Sequence, residues 1–208
     1  MMPPGHIATT WGVAALLQQY NPRLARLDYR LLAFSALLPD VLDKPLAVLV
    51  FTNTQTTQLI AHSLLFHLAL LVLALLFWRK ALPYVLACNA HLLADYMWEH
   101  IQTFWWPLYG WSVFWQYKPM NTPAEMLHVY LDIVRRYPHV WVVEIFAGGV
   151  LCWLAYRFGV YRWPVLKHFI MTGRLGDESP SKPAENLIKP SATATNLPAA
   201  HQPDETAY

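Results

Sequence analysis

Residues 59–78 carry no formal charge, and Arg79 and Lys80 follow at once. About 20 apolar residues are what a helix needs to cross the hydrocarbon core of a bilayer, and a basic pair is a natural stop at a membrane face. Residues 140–156 form a second run of the same character, flanked by Arg157, Arg162 and Lys167. Composition points the same way. Hydrophobic residues make up 56% of the chain and charged residues 13%, where a soluble domain carries about 25% charged residues. So few charges cannot cover a water-soluble domain of 208 residues; lipid is expected to touch much of the surface. The net charge of +2 offers no electrostatic footprint for nucleic acid.

The remaining segments are shorter. Residues 7–20 read as a helix ended by Asn21-Pro22, and residues 31–38 as an apolar run stopped by Pro39-Asp40. Residues 46–51 are a further short run. Residues 82–101 are apolar but interrupted by Asn89, His91, Asp95 and Glu99, too polar to face lipid all round. The Trp-, Tyr- and Phe-rich stretch 104–117 suits an interfacial or re-entrant piece. Thr122-Pro123 is expected to open an amphipathic helix to about Arg136, with Thr122 as N-cap. From Arg174 the chain turns to Pro, Ala, Ser, Thr and charge, a composition that cannot bury enough apolar area to offset its ordering entropy. The expected architecture is all-α: a multi-helix integral membrane bundle with interfacial helices over residues 1–173, and a disordered C-terminal tail over 174–208.

The acidic residues before position 102 are Asp28, Asp40, Asp43, Asp95 and Glu99, and all but Asp28 lie in or beside apolar segments. An ionised carboxylate there is costly unless it is paired or bound to a cation. His6, His62, His67, His91 and His100 fall in the same half of the chain. Imidazole and carboxylate together are the usual ligands of zinc and related divalent ions. His91 and Asp95, four apart, share one helix face, and Asp40 and Asp43 are three apart. If residues 59–78 and 82–101 form an antiparallel hairpin, His67 lies level with the His91–Asp95 turn and His62 level with Glu99. Plainer roles compete: Asp40 as a helix cap, His62 and His67 as packing residues that bond across helices, Glu99 and His100 as solvated groups. Glu144, inside the second apolar run, has no evident partner in the sequence. Cys88 and Cys152 have no metal-type spacing and read as small hydrophobes.

Gly5-His6, Pro39-Asp40-x-x-Asp43, His62-Ser63 at the head of a long apolar helix, His91-Leu-Leu-Ala-Asp95 and Trp105-Trp106-Pro107 occur in that order. In this the chain resembles the YdjM-type family of membrane-bound, metal-dependent hydrolases, over roughly residues 5–107. It departs from that pattern at residues 57–61, where the family carries a His-Arg-Gly and a Thr before the His-Ser pair. The resemblance implies a multi-pass protein of the bacterial inner membrane, with one or two divalent ions held by His6, Asp40, His62, His91 and Asp95 and with Asp43 as a further ligand or an orienting partner. Zinc is the first expectation for the ion, manganese or iron the others. Asp43 or Asp95, where not fully engaged by the ion, would accept a proton from the attacking water. The implied substrate is a phosphoester or a lipid-like molecule reaching the site from the membrane lipid. Two other functions fit the same residues: a catalytically inactive membrane scaffold stabilised by metal, and a protein that transports protons or metal ions.

Overall fold

Asp28 starts the helix on which the rest of the molecule is built. Its carboxylate accepts hydrogen bonds from the backbone N–H groups of Arg30 (2.9 Å) and Leu31 (3.3 Å), closing two donors that a helix start leaves open. The Arg30 guanidinium also binds it, at 2.7 Å, and this hydrogen bond holds the Asp28 carboxyl below the usual carboxylate range. Helix α2 then runs Tyr29–Pro45. Tyr29, Leu32, Ala36, Pro39, Asp40 and Asp43 form one buried stripe with three-to-four-residue spacing, the signature of a helix packed along a single face.

The computed structural model describes residues 1–51, 56–112 and 123–175, and among these every regular element is helical. In chain order the α-helices are α1 (Pro3–Tyr20), α2, α3 (Leu64–Phe77), α4 (Leu82–Ala94), the single turn α5 (Ile101–Phe104), α6 (Pro123–Arg136), α7 (Pro138–Arg157) and α8 (Trp163–Thr172). Helix α2 packs on both α1 and α4; α1 also lies along α7, and α4 pairs with α3. One core is formed by Ala14, Tyr29, Leu32, Ala87 and Leu175, with Trp11, Tyr84, Phe158 and Phe169 closed over it. Trp11 Nε1 donates to the Tyr29 carbonyl at 2.8 Å, so the aromatic that joins α1 to α2 also has its polar edge satisfied. The expected N-cap Thr122, residues 113–117 of the aromatic stretch and residues 176–208 of the expected tail lie outside the described residues.

Two expectations are corrected here. Pro39 does not stop the apolar run 31–38: α2 passes through it, although a proline removes one ladder hydrogen bond. Packing of the buried stripe on both α1 and α4 outweighs that loss. Nor do residues 59–78 form one helix. Ser63 caps α3, its hydroxyl accepting from Phe66 N–H at 3.3 Å, and residues 60–62 form a separate 3-10 turn. Helix α3 therefore has 14 residues, or about 21 Å, short of a hydrocarbon core of about 30 Å. Among the described residues α7, with 20, is the one helix long and apolar enough to cross a membrane.

Helix α8 is tied back to the start of α2. Gly173, at φ +72° after α8, passes its carbonyl to Tyr29 N–H at 2.7 Å, and Arg30 Nη1 donates to the Ile170 carbonyl at 2.5 Å. A Cβ on Gly173 would overlap the Asp28 carboxylate. Gly173→Ala is therefore expected to cost about 1–3 kcal/mol from the left-handed backbone alone, with the overlap adding to it. Thermal unfolding in detergent measures this; a melting temperature equal to wild type would show that the α8–α2 tie does not hold.

Candidate metal centre

The centre begins with Asp43, which is completely buried. Its Oδ2 accepts from the backbone N–H of Leu59 (2.7 Å) and of His62 (3.1 Å), and its Oδ1 from Ala61 N–H (3.0 Å). These are donors of the very turn that precedes α3. One carboxylate on α2 thus folds residues 59–62 around itself and breaks what would otherwise be a longer apolar helix. His67 supports the same turn from α3: its Nε2 lies 3.0 Å from the Ala61 carbonyl and its Nδ1 2.9 Å from Asn89 Oδ1 on α4.

The same Asp43 Oδ2 lies 2.7 Å from His62 Nδ1. A carboxylate accepts, so Nδ1 carries a proton, and in the neutral ring Nε2 is left with its lone pair. His91 is set in the same way by a different partner. Its Nδ1 is 2.8 Å from the Ala36 carbonyl, which can only accept, so in the neutral ring its Nε2 also keeps its lone pair. The two Nε2 atoms face one another at 3.3 Å. Two acceptors this close repel unless a cation or a proton lies between them.

Two carboxylates complete the group. Asp40 Oδ1 lies 3.5 Å from His62 Nε2 and 3.9 Å from His91 Nε2, and Asp95 Oδ2 lies 3.3 Å from His91 Nε2. Asp40, His62, His91 and Asp95 each bring one ligand atom to a region in which all four atoms fall within 4.8 Å of one another. The outer oxygens of the carboxylates are held by cations: Lys44 Nζ at 2.7 Å on Asp40 Oδ2, and the Met1 amino group at 2.7 Å on Asp95 Oδ1. Each aspartate is therefore oriented through one oxygen and offers the other to the centre. The imidazoles are fully buried, while the side chains of Asp40 and Asp95 keep 11% and 9% of their surface exposed, so what little exposure the group has lies on its carboxylates.

His6 stands beside this group rather than within it. Its ring stacks on His91 with centroids 4.0 Å apart, and its Nε2 lies 3.1 Å from Asp95 Oδ1. That distance does not bring hydrogen-bonding geometry, and Nε2 is a buried nitrogen with no hydrogen-bond partner. A buried ring nitrogen without a hydrogen bond, two facing imidazole nitrogens and two inward carboxylate oxygens together make a donor set that could hold a metal ion.

Of the residues expected from the sequence, the structure brings Asp40, His62, His91 and Asp95 together, stacks His6 against them and places Asp43 behind His62. The hairpin arithmetic that set His62 level with Glu99 is corrected. His62 meets His91 because the chain leaves helical geometry at Ser63, and α4 ends at Ala94 with Tyr96 in the left-handed region at φ +52°. Glu99 and His100 are exposed. The Ala36 carbonyl was invisible to sequence reading, as any backbone ligand-orienting group must be. Glu144 finds its partners in the backbone of α1, at Met2 N–H (2.8 Å) and Gly5 N–H (3.0 Å).

Asp43→Asn replaces a four-fold acceptor by a group with one acceptor oxygen and sets an amide N–H₂ against backbone donors. It is expected to lower stability by about 3 kcal/mol, read from a denaturation curve. A curve superimposable on wild type would remove Asp43 as the anchor of the 59–62 turn.

The profile of the family described as YdjM inner membrane protein matches residues 1–165. No curated protein and no protein of known structure matches the chain.

Proposed function

The chain belongs to the YdjM inner membrane protein family, and from that premise we propose that it is a multi-pass, membrane-bound, metal-dependent hydrolase acting on a phosphoester or lipid-like substrate. The observation that carries the reading is the convergence of the Nε2 atoms of His62 and His91, 3.3 Å apart, with one oxygen each of Asp40 and Asp95. His62, His91, Asp40 and Asp95 would hold the ion, with His6 Nε2 as the nearest additional donor. When bound, such an ion supplies Lewis acidity, polarising the scissile bond and lowering the pKa of water toward 7.

The protein's own groups do the rest. Asp43 and the Ala36 carbonyl fix the tautomers and ring orientations of His62 and His91, the partners that metal-bound imidazoles usually require. Asp43 has donors on both oxygens and so works through His62. Asp95 would take a proton from an attacking water at a carboxylate oxygen that the ion leaves free. Lys44, beside Asp40, adds positive charge that favours an anionic substrate such as a phosphoester.

Two features support the lipid-like arm. An apolar groove of about 620 Å³ runs between α1 and α7, lined by Gly5, Ala8, Gly12, Val143, Phe146 and Val150, and Gly5 is the neighbour of His6. Leu65, Leu68, Val72, Leu76 and Phe77 of α3 are exposed, Leu76 by 69%, a face that suits lipid and not water. A lipid-borne substrate would approach laterally along such surfaces.

The test is metal content by plasma mass spectrometry on detergent-purified protein, with ester hydrolysis measured on the same samples. Near-stoichiometric zinc, manganese or iron is expected in wild type and is lost in His91→Ala and Asp95→Ala, with hydrolysis lost in parallel. A wild type that takes up no metal after reconstitution with excess ions sinks the reading. Metal that binds and raises the melting temperature, with no ester turned over, would replace hydrolase by scaffold; flux across vesicles would replace it by transport.

A further inference from the structure

Glu144 is the seventh residue of the 20-residue α7, the one described helix long and apolar enough to cross a membrane. A carboxylate at such a position is expensive and is kept for a purpose. Its two oxygens are spent on the first turn of α1: Oε1 accepts from Met2 N–H at 2.8 Å and Oε2 from Gly5 N–H at 3.0 Å. The N-terminal residues of α1 have no side-chain cap of their own, since Met2 stands at the N-cap position. Glu144 therefore does from another helix what an N-cap residue does locally, and its negative charge sits at the positive end of the α1 dipole.

The next residue after Gly5 is His6, stacked on His91 and 3.1 Å from Asp95. Gly5 itself leaves no room to spare: a Cβ there would lie 2.9 Å from Glu144 Oε1 and 2.5 Å from the Met1 side chain. The close approach of the carboxylate thus depends on a glycine immediately before the histidine. We propose that Glu144 is a positioning residue that seats His6 at the metal centre, making the membrane-length helix α7 part of the centre although it contributes no ligand. Where His6 acts toward a metal, this rests on the reading above; the seating of His6 does not.

The experiment has a metal-free arm and a metal arm. In metal-stripped protein, histidine modification by diethylpyrocarbonate is followed by peptide mass spectrometry. His6 is 2% exposed and His62 is fully buried, so both are protected in wild type. Glu144→Ala is expected to raise the modification rate of His6 at least ten-fold while His62 and His91 stay protected, which also reports that the bundle has kept its fold. Glu144→Gln and Gly5→Ala, milder changes, are expected to give the same selective unmasking at smaller amplitude. In the metal arm, zinc affinity is measured by competition with a chromogenic chelator. Loss of an orienting partner costs 10–100-fold in affinity, so Glu144→Ala should weaken zinc by about 10-fold in wild type and by no more than about two-fold in a His6→Ala background.

Protection of His6 equal to wild type in all three variants overturns the proposal. So does an equal, additive loss of zinc affinity with and without His6, since that would make Glu144 a general stabiliser. A wild type that binds no zinc while Glu144→Ala still unmasks His6 would sink the hydrolase reading and leave the positioning role standing.

Discussion

The buried carboxylate of Asp43 is the constraint on which the centre depends. Removing a carboxylate from water costs several kcal/mol, and Asp43 offsets that cost with three backbone N–H groups and one imidazole N–H. Those bonds do two things at once. They bend residues 59–62 out of the helix that their composition would continue, and they aim His62 into the bundle with its proton on the far nitrogen. With the bend in place, His62 meets His91 edge to face, ring centroids 5.1 Å apart.

Around that anchor each centre-facing group is oriented by a second contact on its far side: His62 by Asp43, His91 by the Ala36 carbonyl, Asp40 by Lys44 and Asp95 by the Met1 amino group. The result is a set of inward lone pairs whose side chains cannot easily turn away from one another. Side chains held in this way have lost their rotamer entropy on folding rather than on binding a ligand.

The long helix contributes differently. Helix α7 crosses a distance that α3, at 14 residues, does not, yet its polar group is turned inward to α1 instead of toward a partner in solvent. The Glu144–Gly5 contact couples the element with the clearest membrane character to the residue next to His6. Helix α7 and the His/Asp group are in this way joined through the start of a single helix.

Several of these features were legible in the sequence. The His91–Asp95 spacing, the pairing of Asp40 with Asp43 and the gathering of acids and imidazoles in one half of an apolar chain are properties of short-range periodicity and of the cost of charge in an apolar medium, and neither needs a fold to be read. The family resemblance, shown by a match over residues 1–165, ordered the candidates. What only the tertiary structure decided was the division of labour among them. Asp40 and Asp43 are three residues apart on one helix, but the first faces the imidazole pair and the second faces a turn from another segment. His62 meets His91 and not the level of Glu99, because a serine cap and a remote carboxylate override the apolar continuity of residues 59–78. Pro39 sits inside a helix because packing on two sides outweighs a lost hydrogen bond. Glu144 is satisfied by backbone donors more than 130 residues away. Periodicity along the chain says which face a residue takes, whereas which partner waits on that face depends on long-range packing and on backbone groups, and those carry no mark in the sequence.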